Sequence, residues 1–346
     1  MPLSFAERMR AFGWFLIAAI YFGVAQLVAA RAAHGLAPGD SSELVSRSIL
    51  LFLLLVGYAG MGRIGQRQRS PLHAMGLALR PGWRSELALG AVLGWGGMVA
   101  CVLVIAVLGG LVLKFDAAPH QILLFGVDLA VLAVASLAEE VAFRGYPFQR
   151  LIEAMGPWFA TLFISLLFMV AHLANPDSTS AGLFTTLLAG WLLALAYLRT
   201  RALWVGWGFH FAWNASMGLL FGLPVSGLTI FSPVVSTYTR GEVWLTGGGY
   251  GPEGSAVAIV VLLGLLIVLT RSTRELKHRY ADPVIVPGGL PVDIDALARR
   301  QHEQAMGSGI APGNAPVGQQ LVQILAPGTP VPLPTRPPLD GGTGSS

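Results

Sequence analysis

Along most of this chain apolar residues run on for about twenty positions without alternating, and turn residues or arginines separate the runs. Runs of that length and kind predict helices that cross a bilayer. A strand reading needs period-two alternation, which is missing, and in lipid only helices or closed barrels satisfy every backbone group. Eight spans are expected, at roughly 12–31, 45–61, 86–113, 121–148, 157–175, 181–198, 203–222 and 255–270. The fold class is therefore all-α, a polytopic membrane bundle of about eight transmembrane helices. The first run ends in "LVAARAA", small residues of the kind found at signal cleavage sites. Its apolar stretch is too long for a signal peptide, so it reads as an uncleaved anchor; cleavage would leave seven spans.

Past Asp282 the pattern stops. Residues 283–346 hold eleven of the 22 prolines and much glycine, which predicts a disordered tail with at most a short helix near 292–305. The segment 223–254, with "TGGGYGPEG", reads as a mobile outer cap. Four regions result: 1–84, two helices and a basic loop; 85–222, a membrane core; 223–280, the outer loop and last helix; and 281–346, the tail.

Composition sharpens this picture at a few points. Charged residues make up 12% of the chain and mean hydropathy is +0.65, against roughly a quarter charged in soluble domains. No soluble domain fits. Fourteen of the 22 lysines and arginines fall in the segments on the N-terminal side of the membrane and four in those on the other side. That bias predicts a cell-membrane protein with both termini cytoplasmic. It also accounts for the basic pI without a nucleic-acid partner. The single cysteine, Cys101, lies within a span and rules out an intrachain disulfide. Trp83, Trp158 and Trp204 sit at span ends as interfacial anchors. In the third span, Gly90 and Gly94 are spaced for close helix packing.

Few ionisable groups enter the spans, where each costs at least about 2.5–3.5 kcal/mol and usually faces a cavity or a partner. Span four carries Glu139, Glu140 and Arg144 in "AEEVAFRGYPFQRL". Span five ends in "FMVAHLAN", with Phe168, His172 and Asn175, and span seven reads "GFHFAWNAS", with His210 and Asn214. Glu140 and Arg144 stand one turn apart on one face, whereas Glu139 is rotated about 100° away. Glu140 then pairs with Arg144 while Glu139 projects into a central cavity. A carboxylate, two imidazoles and an amide suit hydrolysis of a carbonyl. Carboxylate and histidine take a proton from attacking water, and the remaining histidine and asparagine stabilise the oxyanion. No serine or cysteine nucleophile pairs with these histidines.

Glu-Glu-x-x-x-Arg, Phe-x-x-x-His and His-x-x-x-Asn, in order on successive membrane helices, resemble the CPBP family, which includes the CAAX prenyl proteases and the Abi and bacteriocin-immunity proteins. The resemblance covers about residues 85–222 and includes "FRG" at 143–145. It implies an intramembrane endopeptidase whose cavity is reached from the cytoplasmic side. Glu139 and His172 would activate water, His210 and Asn214 would form the oxyanion hole, and Glu140, Arg144 and Phe168 would support the site. It also implies a glutamate-dependent reaction with no cofactor, although Glu139, His172 and His210 could instead hold zinc as a metallo-endopeptidase does. No His-Glu-x-x-His helix is present. Because arginine far outnumbers lysine and glycine and alanine abound, a GC-rich bacterial source is indicated, where prenylated substrates are not expected. The partner expected is therefore a membrane-associated peptide or protein.

Two other function classes compete. A non-catalytic immunity or scaffold protein would keep the motifs without turnover. A proton-coupled transporter would also bury such charges but would more often show inverted repeats and broken helices. One geometric tension remains in the protease reading. Measured from the cytoplasmic helix ends, Glu139 and His210 come out roughly 10–14 Å deep but His172 roughly 22 Å.

Overall fold

The structure is a computed structural model that describes residues 3–37, 42–115, 119–231, 235–273, 284–285 and 291–292. Among the described residues its first compact unit, residues 1–281, holds ten α-helices. In order they are α1 (Phe5–Leu36), α2 (Ser42–Gly65), α3 (Trp83–Val107), α4 (Pro119–Arg144), α5 (Tyr146–Met155), α6 (Pro157–Ala171), α7 (Ser180–Thr200), α8 (Trp204–Ala215), α9 (Val243–Thr246) and α10 (Ala256–Ser272). Local sequence sets their limits. Ser4 and Glu7 form a reciprocal capping box at the start of α1. Thr179 and Ser255 cap α7 and α10 through their side-chain oxygens.

A helix lies within each expected span, but the lengths differ from the expectation. Among the described residues α1, α2, α3 and α7 are long and apolar enough to cross a membrane. The apolar helices α6 and α10 have 15 and 17 residues and α8 has 12, all short of a 20-residue crossing. With 26 residues α4 is long enough, yet Asp128, Glu139 and Glu140 interrupt its apolar run. The third expected span also stops early. Residues 111–115 form strand β1, paired antiparallel with β2 (Val235–Thr239).

The largest departure is in span four. Gly145 breaks the helix, and Pro147, which lacks an N–H, starts a new one. The resulting α5 buries Tyr146, Phe148 and Leu151 and packs chiefly against α1. Gly156 and Pro157 then turn the chain back into α6. Ten residues of α5 carry the chain about 15 Å further toward the arginine-rich end of the bundle. The ascent of α6 therefore starts deeper than the sequence reading assumed, and His172 returns to the level of the charges on α4. The depth tension came from ending span four in the wrong place.

Two apolar cores flank the interior. One joins α1, α2, α4, α5 and α6 around Tyr58, Tyr146, Phe148 and Phe168. The other joins α3, α7, α8 and α10 around Met98, Phe209, Trp213 and Leu262. Between α3 and α8 the backbones touch: a Cβ added at Gly94 would collide with the Phe209 carbonyl, and one at Gly208 with that of Leu87. The small residues thus bring α8, and the groups it carries, against α3.

Instead of forming a mobile cap, the described part of 223–254 is pinned. Tyr250 is fully buried and its hydroxyl shares a hydrogen bond with that of Thr186 on α7. The second unit begins at Asp282; its described residues form two short antiparallel strands, β3 (Val284–Ile285) and β4 (Pro291–Val292). The expected tail, including the helix near 292–305, otherwise lies outside the described residues.

Replacing Gly94 by valine is expected to destabilise the protein by about 1–3 kcal/mol or more, because backbone cannot yield as a side chain would. Gly96→Ala is the control, since nothing lies within 4 Å of a Cβ at that position. Thermal unfolding in detergent should separate the two variants, and equal melting temperatures would contradict the close α3–α8 contact.

Candidate active site

The site is anchored by Arg144, which is fully buried at the end of α4. Its Nη1 donates to Glu140 Oε1 at 3.3 Å and its Nη2 to the Gly190 carbonyl of α7 at 3.1 Å. The guanidinium also lies 4.3 Å from the ring centroid of Phe168 on α6, a cation–π distance. Glu140 Oε1 accepts a further hydrogen bond, 3.0 Å long, from Nδ1–H of His210 on α8. One buried ion pair thus ties α4 to α6, α7 and α8. A side chain at Gly206 would bring its Cβ within 3.1 Å of Glu140 Oε2, so α8 meets the carboxylate through a glycine.

Glu139 is placed differently. It is 28% exposed at the side chain, against 1% for Glu140, and it lines a cavity of about 370 Å³. Its Oε2 has no hydrogen-bond partner among the described residues and lies 3.8 Å from His210 Nε2. That is too far for a direct hydrogen bond and suits a bridged one. The cavity is also lined by Phe168, His172, His210 and Asn214. His172, at the C-cap of α6, donates Nδ1–H to the Phe168 carbonyl at 2.7 Å. A carbonyl can only accept, so the neutral ring carries its lone pair on Nε2. The Phe168 ring sits 4.7 Å from the His172 ring and 6.0 Å from that of His210. All seven residues singled out in the sequence therefore come together, four of them with Phe168 at one cavity and Glu140 with Arg144 as the clamp beside it.

The cavity has a floor and a mouth. Phe143, Phe168, Leu193 and Phe209 are buried, whereas the exposed lining residues are Gln26, Ala171 and Ile230. Those three lie toward the end of the bundle opposite the arginine-rich end. The expected cytoplasmic access and the expected cytoplasmic position of the arginines therefore do not fit together in this fold.

Among the described residues no group of three His, Cys, Asp or Glu side chains is gathered at metal-ligand distances, and the Nδ1 of each histidine is held by a protein acceptor, which leaves Nε2 as the ring atom open to a further partner. Sequence reading missed Glu253, which lines the same cavity from the loop before α10. Its only signal was a carboxylate two residues before the N-cap Ser255, in a segment that otherwise looks like a plain turn.

Residues 119–216, from the start of α4 to the end of α8, match the family model described as Type II CAAX prenyl endopeptidase Rce1-like. The matched segment covers all seven residues of the site and its clamp but under a third of the chain, and it is this segment that is similar to that family. Comparison with curated proteins and with solved structures gave no match.

Removing one partner of a buried ion pair strands the other charge. Arg144→Met is therefore expected to cost about 3–5 kcal/mol of stability. The double variant Glu140→Gln/Arg144→Met should recover part of that loss. Thermal unfolding of wild type, Glu140→Gln, Arg144→Met and the double variant checks this, and additive losses would contradict the coupling.

Proposed function

We propose that this chain is an intramembrane endopeptidase in which Glu139 activates the water that cleaves a peptide bond of a membrane-associated peptide or protein. The observation that carries the reading is the meeting of Glu139, His172, His210 and Asn214, from three helices, at one cavity beside a separate structural carboxylate. The scissile carbonyl lies between two sets of groups. On one side Glu139 takes a proton from water as its oxygen adds to the carbonyl carbon, and His172 Nε2 accepts a hydrogen bond that orients the water. On the other, Asn214 Nδ2–H, and His210 Nε2 when it carries a proton, donate to the oxyanion. When the tetrahedral intermediate collapses, the C–N bond breaks and Glu139 returns its proton to the leaving amine. Glu140 holds His210 Nδ1–H and so fixes the ring's orientation.

The scheme uses no metal. Activity is expected to stay within twofold after exhaustive chelation and dialysis; a loss that zinc restores would contradict the scheme. Glu139→Gln should abolish peptide cleavage by the folded protein. Asn214→Ala should lower kcat by about 10²–10³ with little change in KM. An Asn214→Ala enzyme with normal kcat and raised KM would instead make that residue a simple binding contact.

For topology we adopt the arginine bias, with both termini cytoplasmic. The cavity mouth then faces the outer half of the membrane, and substrate reaches it from there. In a Cys101→Ala background, Ile230→Cys should react with a membrane-impermeant maleimide added outside intact cells. Labelling only after the inner face is opened would reverse this orientation.

A further inference from the structure

Glu253 is placed where a loop carboxylate would ordinarily be solvated, yet it is only 9% exposed. It precedes α10 in a short 3₁₀ turn, Pro252–Gly254. Three donors converge on it. Trp213 Nε1–H reaches Oε1 at 3.0 Å, while the Ser226 backbone N–H and hydroxyl reach Oε2 at 2.9 and 2.6 Å. Ser226 holds a left-handed conformation, φ 47°, which is uncommon for a residue with a side chain. Its carbonyl in turn accepts Nδ2–H of Asn175 at 3.0 Å.

The two ends of this relay are significant. Trp213 lies on α8 between His210 and Asn214, and Asn175 follows His172 by three residues just past α6. Glu253 and Ser226 both line the cavity that those groups share. We infer that Glu253 is a positioning residue that sets the distance between the His172-bearing end of α6 and the His210- and Asn214-bearing face of α8. This inference rests on the endopeptidase reading and adds a residue outside the matched segment, 119–216. A carboxylate suits the role because it accepts from all three donors, as a charge-assisted set. A glutamine would turn an N–H toward one of them and leave it without an acceptor.

The test uses the full chain in detergent or nanodiscs, with Glu253→Gln, Trp213→Phe and the double variant beside wild type. Glu253→Gln is expected to lower kcat about ten- to a hundredfold, the scale of a small misplacement of catalytic groups, with KM within twofold. Trp213→Phe should cost less, and the double variant should cost no more than Glu253→Gln alone. Hydrogen exchange gives a readout independent of turnover: amides at 172–175 and 225–228 should exchange faster in Glu253→Gln, while those of α1 and α2 do not change. A folded Glu253→Gln protein with wild-type kcat, or with unchanged exchange at both segments, overturns the proposal. If Glu253→Gln does not fold, Trp213→Phe and Ser226→Ala decide by the same two measures. If wild type itself cleaves nothing, the endopeptidase reading fails, and the exchange data still judge the relay on their own.

Discussion

Burying a charge in a membrane is the constraint on which the rest of this structure depends. Arg144 is fully enclosed, and an isolated cation there would be prohibitively costly. It is tolerated because Glu140, the Gly190 carbonyl and the Phe168 ring surround it. Each of those groups sits on a different helix turn or a different helix, so satisfying the charge fixes α4, α6 and α7 relative to one another. His210 extends the same network to α8. The clamp therefore does for the protein interior what a disulfide or a metal does in small soluble domains: it specifies one arrangement.

From that arrangement follows the division of labour between two adjacent glutamates. A rotation of about 100° between neighbours on a helix puts Glu140 in the clamp and Glu139 in the cavity. Identical side chains thereby acquire different surroundings, one buried with its Oε1 held by an arginine and a histidine, the other partly exposed and lining the cavity. Catalysis by carboxylates elsewhere relies on the same principle of environment over identity. The two apolar cores on either side of the cavity hold its walls, and the glycine contact between α3 and α8 sets one of them.

Much of this was legible in the sequence, because it is written in local spacing. The i,i+4 pairs Glu140–Arg144, Phe168–His172 and His210–Asn214 follow from helical geometry alone, as does the small-residue face of α3. What escaped depended on contacts far apart in the chain. Strand β1 pairs with β2 across more than a hundred residues, and an apolar segment such as "LVLKF" reads equally well as the end of a helix. Helix α5 was hidden because Tyr146, Pro147 and Phe148 prolong an apolar run, although Gly145 and Pro147 marked the break. Glu253 carried no spacing signal at all; only the folded loop brings it to Trp213 and Ser226. The depth of His172 could not be read correctly until α5 was seen.

The central claim is that Glu139 makes this protein a protease rather than an inert membrane scaffold. The most direct measurement compares the termini of membrane proteins by mass spectrometry in cells carrying wild type or Glu139→Ala at matched levels. The account predicts new termini only with wild type, on proteins that reside at the membrane. Identical termini in both, with the wild-type phenotype persisting in the variant, would contradict it and leave a binding role instead.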